Sequence, residues 1–362
     1  MHEPIRQLRV RQYTIPPDAP ESDGTLEWNQ TTIVIVELEA GGHTGIGYTY
    51  GNVAVADVIG RDLNEVVLNQ NAMDVPSIWS AAVRRVRNVG RPGIASMAIS
   101  AVDTAAWDLK ARILGVPLAS LFGRVRRSVP VYGSGGFTSY SLRRLEEQLS
   151  SWVSQGIRCV KMKVERNPEQ DVSRVKAARA AIGPEVELFV DANGAYSRKL
   201  ALKHAEAFAR QDVRWFEEPV SSDDLEGLRL VRDRAPVQMD IAAGEYGYTA
   251  QYFRRMLEAG AVDVLQADAT RCAGFTGFLQ AAALCEAYNV PLSAHTAPAL
   301  HAAVGCACGA LKNIEYFHDH VRIESMFFEG VPELDDGNLV PNMSSAGMGL
   351  KLKHRELEKY AA

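Results

Sequence analysis

The chain has 362 residues, 47% of them hydrophobic, which is enough for two compact domains and argues against a single small binding module. Lys and Arg total 39 and Asp and Glu total 44, and the net charge of −5 is spread without long runs of one sign, so we expect no nucleic-acid partner. The five cysteines lack paired spacing, no stretch of about 18 apolar residues is free of charge, and the sequence starts without an apolar leader. We therefore expect a cytoplasmic protein with no structural disulfide and no membrane partner.

Residues 1–124 are predicted to form an α+β domain. Arg6–Ile15 and Thr31–Glu39 have the composition of strands, and residues 40–42 predict a hairpin turn into a further strand. Apolar residues at helical spacing predict a helix over Ile94–Leu114. Strands followed by helices are typical of an α+β arrangement.

Residues 125–325 are predicted to form a closed parallel barrel. Short β-rich runs alternate eight times with amphipathic helical stretches, and the connections are short enough for right-handed crossovers. Residues 326–362 are predicted to return to the first domain. The eight predicted strands are Val129–Tyr132, Cys159–Val164, Val186–Val190, Val213–Phe216, Val237–Ala242, Val262–Gln266, Val290–Ala294 and Ile314–Phe317.

Reactive side chains stand at the carboxyl ends of seven of these strands. They recur at intervals of about 25 residues, which is the length of one β/α unit, so the fold would bring them to one mouth of the barrel. Catalytic groups of such barrels lie at this end. The side chains are Lys163, Asp191, Glu217, Glu245, Asp268, His295 and Glu315.

Three of these side chains, Asp191, Glu217 and Glu245, are carboxylates on adjacent strands. Without a cation they would repel one another at short range, so we expect a divalent metal between them. Ligation by oxygen alone favours Mg²⁺, with Mn²⁺ as the alternative. The competing interpretation, in which each carboxylate caps its following helix or pairs with a surface cation, does not explain three in register.

Two further groups are predicted to act as bases. The strand period of two places Lys161 and Lys163 on the inward face, where we expect each to lower the pKa of the other and make a neutral amine accessible. His295 ends the strand next to that of Asp268, whose carboxylate could fix the imidazole tautomer. Glu315, if protonated, could donate to a substrate carboxylate oxygen that gains charge.

The motifs at these positions resemble a known family, the enolase superfamily, and within it the mandelate racemase subgroup. Ala98–Gly123 is similar to the helix of the family's capping domain. The remaining motifs are the K-x-K of Lys161–Lys163, VDANG at Val190–Gly194, WFEEPV at Trp215–Val220, AGE at Ala243–Glu245, the pair Asp268 and His295, and Glu315.

The resemblance implies a modified (β/α)7β TIM barrel with an α+β capping domain, and abstraction of the α-proton of a carboxylate substrate through an enediolate. It implies Asp191, Glu217 and Glu245 as Mg²⁺ ligands and Lys163 and His295 as bases on opposite faces. Lys161 would tune Lys163 and contact the substrate carboxylate, Asp268 would orient His295, and Glu315 would be the electrophile. We add Asn193, Trp28 and Arg271 as candidate substrate-binding residues, and leave Glu218 out of the ligand set because strand alternation turns it outward.

Dehydration of a sugar acid to a 2-keto-3-deoxy acid is the reaction we favour. Racemisation or epimerisation of a 2-hydroxy acid is the first alternative, cycloisomerisation the second, and a binding protein that has lost the chemistry the last. The partner is then a small carboxylate, and we expect a homo-oligomer. The sequence leaves the roles of His301, His318 and His320 open.

The segment 16–29 is predicted to be a lid. It holds three prolines and four acidic residues, which makes it too rich in strand breakers for a strand and predicts a mobile loop. Long irregular loops in compact domains commonly cover active sites and exclude water. We expect this loop to close over the metal site, with Trp28 or a neighbour facing the ligand.

Overall fold

A computed structural model describes residues 2–360 of the chain. The amino-terminal domain contains a three-stranded antiparallel sheet with one short hairpin and several helices. Its strands are β1 (Gln7–Ile15), β2 (Glu21–Ser22), β3 (Glu27–Trp28), β4 (Thr31–Ala40) and β5 (His43–Tyr50). Its helices are α1 (Ala54–Val58), α2 (Asn64–Val67), α3 (Val75–Arg85), α4 (Ile94–Ile113) and α5 (Leu118–Phe122), with a π-helical turn at Ile59–Leu63 and a 3₁₀ turn at Val86–Asn88.

Helix α4 packs directly on the sheet because β5 lacks side chains where the two meet. A Cβ atom on Gly47 would lie 2.2 Å from the carbonyl oxygen of Ala101, and one on Gly45 would lie 2.4 Å from that of Ala105. Only glycine permits this close approach. The sheet order β1-β4-β5 and the hairpin turn at 41–42 confirm the predicted α+β capping domain.

Eight parallel strands then close into a barrel, since the last strand pairs with the first. This confirms the predicted modified TIM barrel. The strands are β6 (Val129–Gly135), β7 (Cys159–Lys163), β8 (Glu187–Asp191), β9 (Val213–Glu217), β10 (Asp240–Ala243), β11 (Val264–Ala267), β12 (Leu292–Ala294) and β13 (Leu311–Phe317). The helices are α6 (Leu142–Ser154), α7 (Pro168–Ile182), α8 (Arg198–Ala209), α9 (Leu225–Arg234), α10 (Ala250–Glu258), α11 (Gly274–Tyr288), α12 (Pro298–Gly305) and α13 (His318–Phe327).

Aromatic rings fill the barrel interior beneath its carboxyl-terminal mouth. Phe189 stacks on Trp215 with ring centroids 5.0 Å apart, and Tyr132 packs against both rings. All three side chains are buried. The packed interior leaves the mouth as the place where polar side chains can converge.

The carboxyl-terminal segment contacts both domains. Strand β16 (Asn338–Val340) pairs with barrel strand β6, and the Met348 N–H donates to Asp108 Oδ1 on α4 at 2.6 Å. No helix among residues 2–360 is long and apolar enough to cross a membrane. The elements of this segment are β14 (Phe328–Glu329), β15 (Glu333–Asp335), β16 (Asn338–Val340), β17 (Lys351–Leu352), α14 (His354–Leu357) and a 3₁₀ turn at Glu358–Tyr360.

Two local predictions were wrong. The fifth barrel strand begins at Asp240, and Val237, which we placed in it, is fully exposed before the strand. Segment 16–29 is not strand-free, because β2 and β3 pair as a hairpin. The Asp23 carboxylate accepts hydrogen bonds from the N–H groups of Thr25 and Leu26, at 2.6 and 2.7 Å, and this stabilises the turn despite the prolines.

Candidate active site

Three carboxylates meet at the barrel mouth as the strand spacing predicts. Asp191 ends β8, Glu217 ends β9 and Glu245 follows β10, and one oxygen of each lies within 4.8 Å of the others. All three are buried. Glu245 Oε2 lies 3.2 Å from His295 Nε2 yet makes no hydrogen bond among the described residues. A buried carboxylate oxygen without a donor, within an all-oxygen set, fits a hard divalent cation such as Mg²⁺.

Lys161 and Lys163 point into this site, while Met162 between them packs among the apolar side chains outside the barrel. Lys163 Nζ lies 2.5 Å from Asp191 Oδ2, and Lys161 Nζ contacts Glu217 and, at 2.8 Å, Glu315 Oε1. The charge of Lys161 does lower the pKa of Lys163, as predicted, but without a metal ion the carboxylates around the two amines have the larger effect. Burial alone would lower the pKa of each lysine, but the adjacent carboxylates outweigh burial and raise it.

His295 faces the opposite end of the carboxylate row. Its Nδ1 lies 2.9 Å from Asp268 Oδ2, and Asp268 Oδ1 accepts hydrogen bonds from the N–H and hydroxyl of Thr270, both at 2.7 Å. The predicted pair is therefore formed. Burial alone would lower the pKa of His295, but the carboxylates of Glu245 and Glu315 outweigh it and raise the pKa to about 10.

Glu315 is held between the two basic groups as an anion. Ser134 Oγ donates to its Oε1 at 2.6 Å, and the N–H of Thr296 donates to its Oε2 at 3.0 Å. Burial alone would raise its pKa, but the charges of Lys161 and His295 lower it to about 2. The condition that Glu315 be protonated is not met in this arrangement, because the neighbouring cations stabilise the carboxylate.

Glu218 does not face outward as strand alternation predicted. Strand β9 ends at Glu217, and Glu218 adopts a left-handed conformation with φ of +37°, which breaks the alternation. Its carboxyl is buried, and burial together with the charge of Glu245 raises its pKa well above the ordinary value. Carboxyl groups outnumber cationic groups in this site, and a divalent cation would lower the cost of ionising those whose pKa values are raised.

The three predicted substrate-binding residues lie in different surroundings. Asn193 follows β8, and its side-chain oxygen is buried without a partner among the described residues. Arg271 Nη1 lies 3.3 Å from Glu245 Oε1, and its Nε lies 3.6 Å from Asp268 Oδ2, so it bridges the carboxylate row and the histidine pair. Trp28 donates to Glu21 Oε2 at 2.7 Å. Their binding of substrate stays a prediction.

The segment 16–29 lies over one half of the barrel mouth, where it contacts residues that follow β13, β6, β7 and β8. A Cβ atom on Gly24 would lie 2.8 Å from the carbonyl oxygen of Ala192 and 3.0 Å from that of Val164, so the hairpin rests on the ends of two barrel strands. Asp18 lies 3.2 Å from His318 Nε2, which follows β13, two strands away from β7 around the barrel. The segment is placed as a lid would be, and its opening and closing stay a prediction.

Several residues that hold the site's side chains in place were missed by the sequence analysis. Ser134, two residues beyond Tyr132 on the same inward face of β6, could have been found by extending the alternation. Thr296 and Ala297 could not, because their positive φ angles of 50° and 39° direct two backbone N–H groups inward. His301 Nε2 accepts from the N–H of Ala269 at 3.0 Å and so joins the loops that carry Asp268 and His295.

Comparison with known proteins agrees with this geometry. Residues 10–123 match the model of the mandelate racemase / muconate lactonizing enzyme N-terminal domain, and residues 144–356 match the enolase C-terminal domain-like model. The chain belongs to the enolase superfamily. A mandelate racemase/muconate lactonizing enzyme-like protein from Rubrobacter xylanophilus superimposes with a TM-score of 0.97 at 52% identity, covering 99% of this chain and 100% of that one.

Two curated relatives are similar to this chain over most of their length. A 3,6-anhydro-α-L-galactonate cycloisomerase from Streptomyces coelicolor is 36% identical over 80% of this chain and 82% of its own. The L-talarate/galactarate dehydratase from Salmonella typhimurium is 30% identical over 86% of this chain and 78% of its own. A structure of that dehydratase, liganded with Mg and L-lyxarohydroxamate, superimposes with a TM-score of 0.90 at 27% identity, covering 100% of this chain and 93% of that one.

Proposed function

We propose that this enzyme removes the α-proton of a sugar acid and eliminates its 3-hydroxyl as water, which leaves a 2-keto-3-deoxy acid. The observation that carries the proposal is the placement of two proton-transfer groups, Lys163 and His295, at opposite ends of one row of carboxylates. Several similar proteins are named as dehydratases of galactarate, arabinonate, gluconate and rhamnonate. Elimination needs a base at Cα and an acid at the leaving oxygen, and the site supplies one group for each role.

Asp191, Glu217 and Glu245 would hold Mg²⁺. The bound ion would supply positive charge that makes a substrate α-proton more acidic. The same charge would offset the carboxylates that raise the pKa values of Lys163 and His295. One of the groups Lys163 and His295 then accepts the α-proton, and the other delivers a proton to the departing hydroxyl. Asp268 keeps the imidazole of His295 oriented in either role.

Lys161 and Glu315 complete the site. The Lys161 ammonium is fully buried between Glu217 and Glu315, which positions it to bind a substrate carboxylate oxygen that gains charge. Glu315 would hold Lys161 in place through its Oε1, and Ser134 and Thr296 fix the Glu315 carboxylate in turn.

Cycloisomerisation is the second candidate, because the S. coelicolor relative that is 36% identical carries that name. Opening of a 3,6-anhydro ring begins with loss of the same α-proton and breaks the same C3–O bond, but the oxygen stays attached at C6. The two reactions therefore need the same two proton-transfer groups and differ in the mass of the product.

The test is incubation of the Mg²⁺-loaded enzyme with a library of aldonic, aldaric and anhydro sugar acids, with products detected by mass spectrometry. Dehydration lowers the product mass by one water, whereas cycloisomerisation and epimerisation leave it unchanged. The variant Lys163→Ala should lose the activity. Lys312→Ala is the matched control, since Lys312 pairs with Asp240 at the other end of the barrel strands. An enzyme that removes water from no acid in the library contradicts the proposal, and a 2-keto product of unchanged mass from an anhydro acid favours the second candidate.

A further inference from the structure

A histidine that the proposed mechanism does not use is held rigidly at the edge of the site. His320 lies near the start of α13, and its ring stacks on Tyr50 of the capping domain with centroids 3.5 Å apart and planes 11° apart. Phe317 packs edge-on against the same ring at 5.1 Å. Its Nδ1 accepts a hydrogen bond from the N–H of Ala297 at 3.2 Å, so the neutral ring carries its proton on Nε2.

The ring is neutral in the protein interior. Burial lowers the pKa of His320 to about 3, which keeps the imidazole uncharged over the physiological range. His320 therefore presents an uncharged Nε2–H donor in a fixed orientation.

This stacked pair has polar atoms open to a ligand. The Tyr50 hydroxyl is buried without a hydrogen bond among residues 2–360, and the hydrogen bond between His320 and Ala297 uses Nδ1 and leaves Nε2 open to another partner. Tyr48, two residues earlier on the same strand, shows the usual outcome, since its hydroxyl donates to Glu324 Oε1 at 2.6 Å. A buried hydroxyl left unsatisfied is costly, which points to a polar ligand that completes the pair.

The pair borders the catalytic groups. Ala297, which orients the His320 ring, stands two residues after His295 in the loop beyond β12. The charges of Asp268 and Glu315 both act on the imidazole of His320, and that of Asp268 acts on Tyr50. The pair thus lies where the capping domain meets the mouth, on the side of the site that carries His295.

The cationic side chains whose charges act on the pair are already paired with carboxylates among residues 2–360, and His295 is one of them, since it contacts Asp268 and Glu245. Arg322 is paired with Asp319 at 2.5 Å and also donates to the carbonyl oxygen of Pro16, and Arg271 is paired with Glu245 and Asp268. Because these cations are already paired, the uncharged donors of Tyr50 and His320 suit a hydroxyl group of the substrate. The second carboxylate of a dicarboxylate substrate would lie here without a counter-ion and next to acidic side chains.

We propose that the Tyr50 hydroxyl and His320 Nε2 form a distal subsite that binds the terminal hydroxyl of a sugar monocarboxylate, so that the enzyme prefers aldonates to aldarates of equal length and configuration. This inference rests on the proposed function and narrows its substrate class. The predicted preference differs from that of the relative named for galactarate, because galactarate is a dicarboxylate.

The test compares acids that differ at one end only. For the Mg²⁺-loaded wild type, kcat/KM is measured on gluconate and glucarate, on galactonate and galactarate, and on 6-deoxygalactonate, which lacks the terminal hydroxyl. We expect the monocarboxylate of each pair to be preferred by at least about 10-fold. Tyr50→Phe keeps the stacked ring and should lower kcat/KM on the hydroxyl-terminated acid about 10-fold, with little effect on the 6-deoxy acid.

Tyr48→Phe is the control, because it removes a hydroxyl from the same strand that is already bonded to Glu324. It should lower the thermal midpoint without changing the ratio between the two acids. Preference for the dicarboxylates, or an equal loss on the hydroxyl and 6-deoxy acids in Tyr50→Phe, overturns the distal subsite while the proposed function stands. Failure of every acid to give product overturns the proposed function itself.

Discussion

Replacing Glu217 with Gln tests the metal centre because the amide keeps the shape of the side chain and removes one ligand charge. Glu217 Oε2 accepts a hydrogen bond from Trp215 Nε1 at 2.9 Å, and its other oxygen contacts Lys161. Burial and the charge of Asp191 raise the pKa of Glu217 to about 8, so without the ion the protein already tolerates an uncharged group here. We therefore expect Glu217→Gln to leave the thermal midpoint of the metal-free protein nearly unchanged.

Mg²⁺ binding should suffer strongly in the same variant. Removing one member of a buried charge pair costs about 3 kcal/mol or more, which corresponds to a Kd raised by roughly 100-fold. Because the wild type must release the proton of Glu217 to bind the ion, its own affinity should fall as pH drops below about 8. The affinity of the variant should depend less on pH.

Isothermal titration of Mg²⁺ at two pH values measures both effects. Glu187→Gln serves as the control, since Glu187 is exposed at the opposite end of the neighbouring strand β8. An unchanged Mg²⁺ affinity in Glu217→Gln would refute the assignment of these carboxylates as ligands. A large loss of thermal stability in the metal-free variant would refute the reasoning about its protonation.

Two further predictions concern the lid and the contact between the domains. Gly24→Ala places a Cβ atom 2.8 Å from the Ala192 carbonyl oxygen, so it should lift the hairpin and lower kcat/KM by about 10-fold or more with Mg²⁺ affinity retained; wild-type kinetics would show that the segment is no lid. Burial raises the pKa of Glu324 to about 8, so the folded protein binds an extra proton between the unfolded pKa and pH 8, and its stability declines as pH rises through that range. Glu324→Gln should remove this decline, so its thermal midpoint relative to wild type should be higher at pH 8 than at pH 5, and parallel pH profiles would contradict the argument.

The strand-end side chains could be predicted because barrel geometry repeats along the sequence. One β/α unit takes about 25 residues, so spacing alone assigned Asp191, Glu217 and Glu245 to one mouth before their distances were known. The alternation of side chains along a strand gave a wrong prediction at Glu218, which it placed on the outward face. Alternation holds only while the chain is a strand, and a single residue with positive φ ends it.

Other features depend on contacts between segments distant in sequence. The raised pKa of Lys163 depends on its distance from Asp191, which the order of residues does not give. The stack of Tyr50 on His320 joins two domains across 270 positions of the chain, and no local sequence pattern predicts it. The β2–β3 hairpin follows the three prolines of its segment, and the carboxylate of Asp23 satisfies the N–H groups of its turn.

Proton exchange in D₂O is the most direct test, because the central claim is that one of two opposed groups takes the α-proton while the other protonates the departing hydroxyl. NMR would follow deuterium at Cα of a sugar acid that the wild type converts, in Lys163→Ala, in His295→Asn and in the control Lys312→Ala. We predict that the first two variants form no product, that at least one still exchanges the α-proton on a single face, and that the control behaves as wild type. Product formation at the wild-type rate in both Lys163→Ala and His295→Asn would contradict the account.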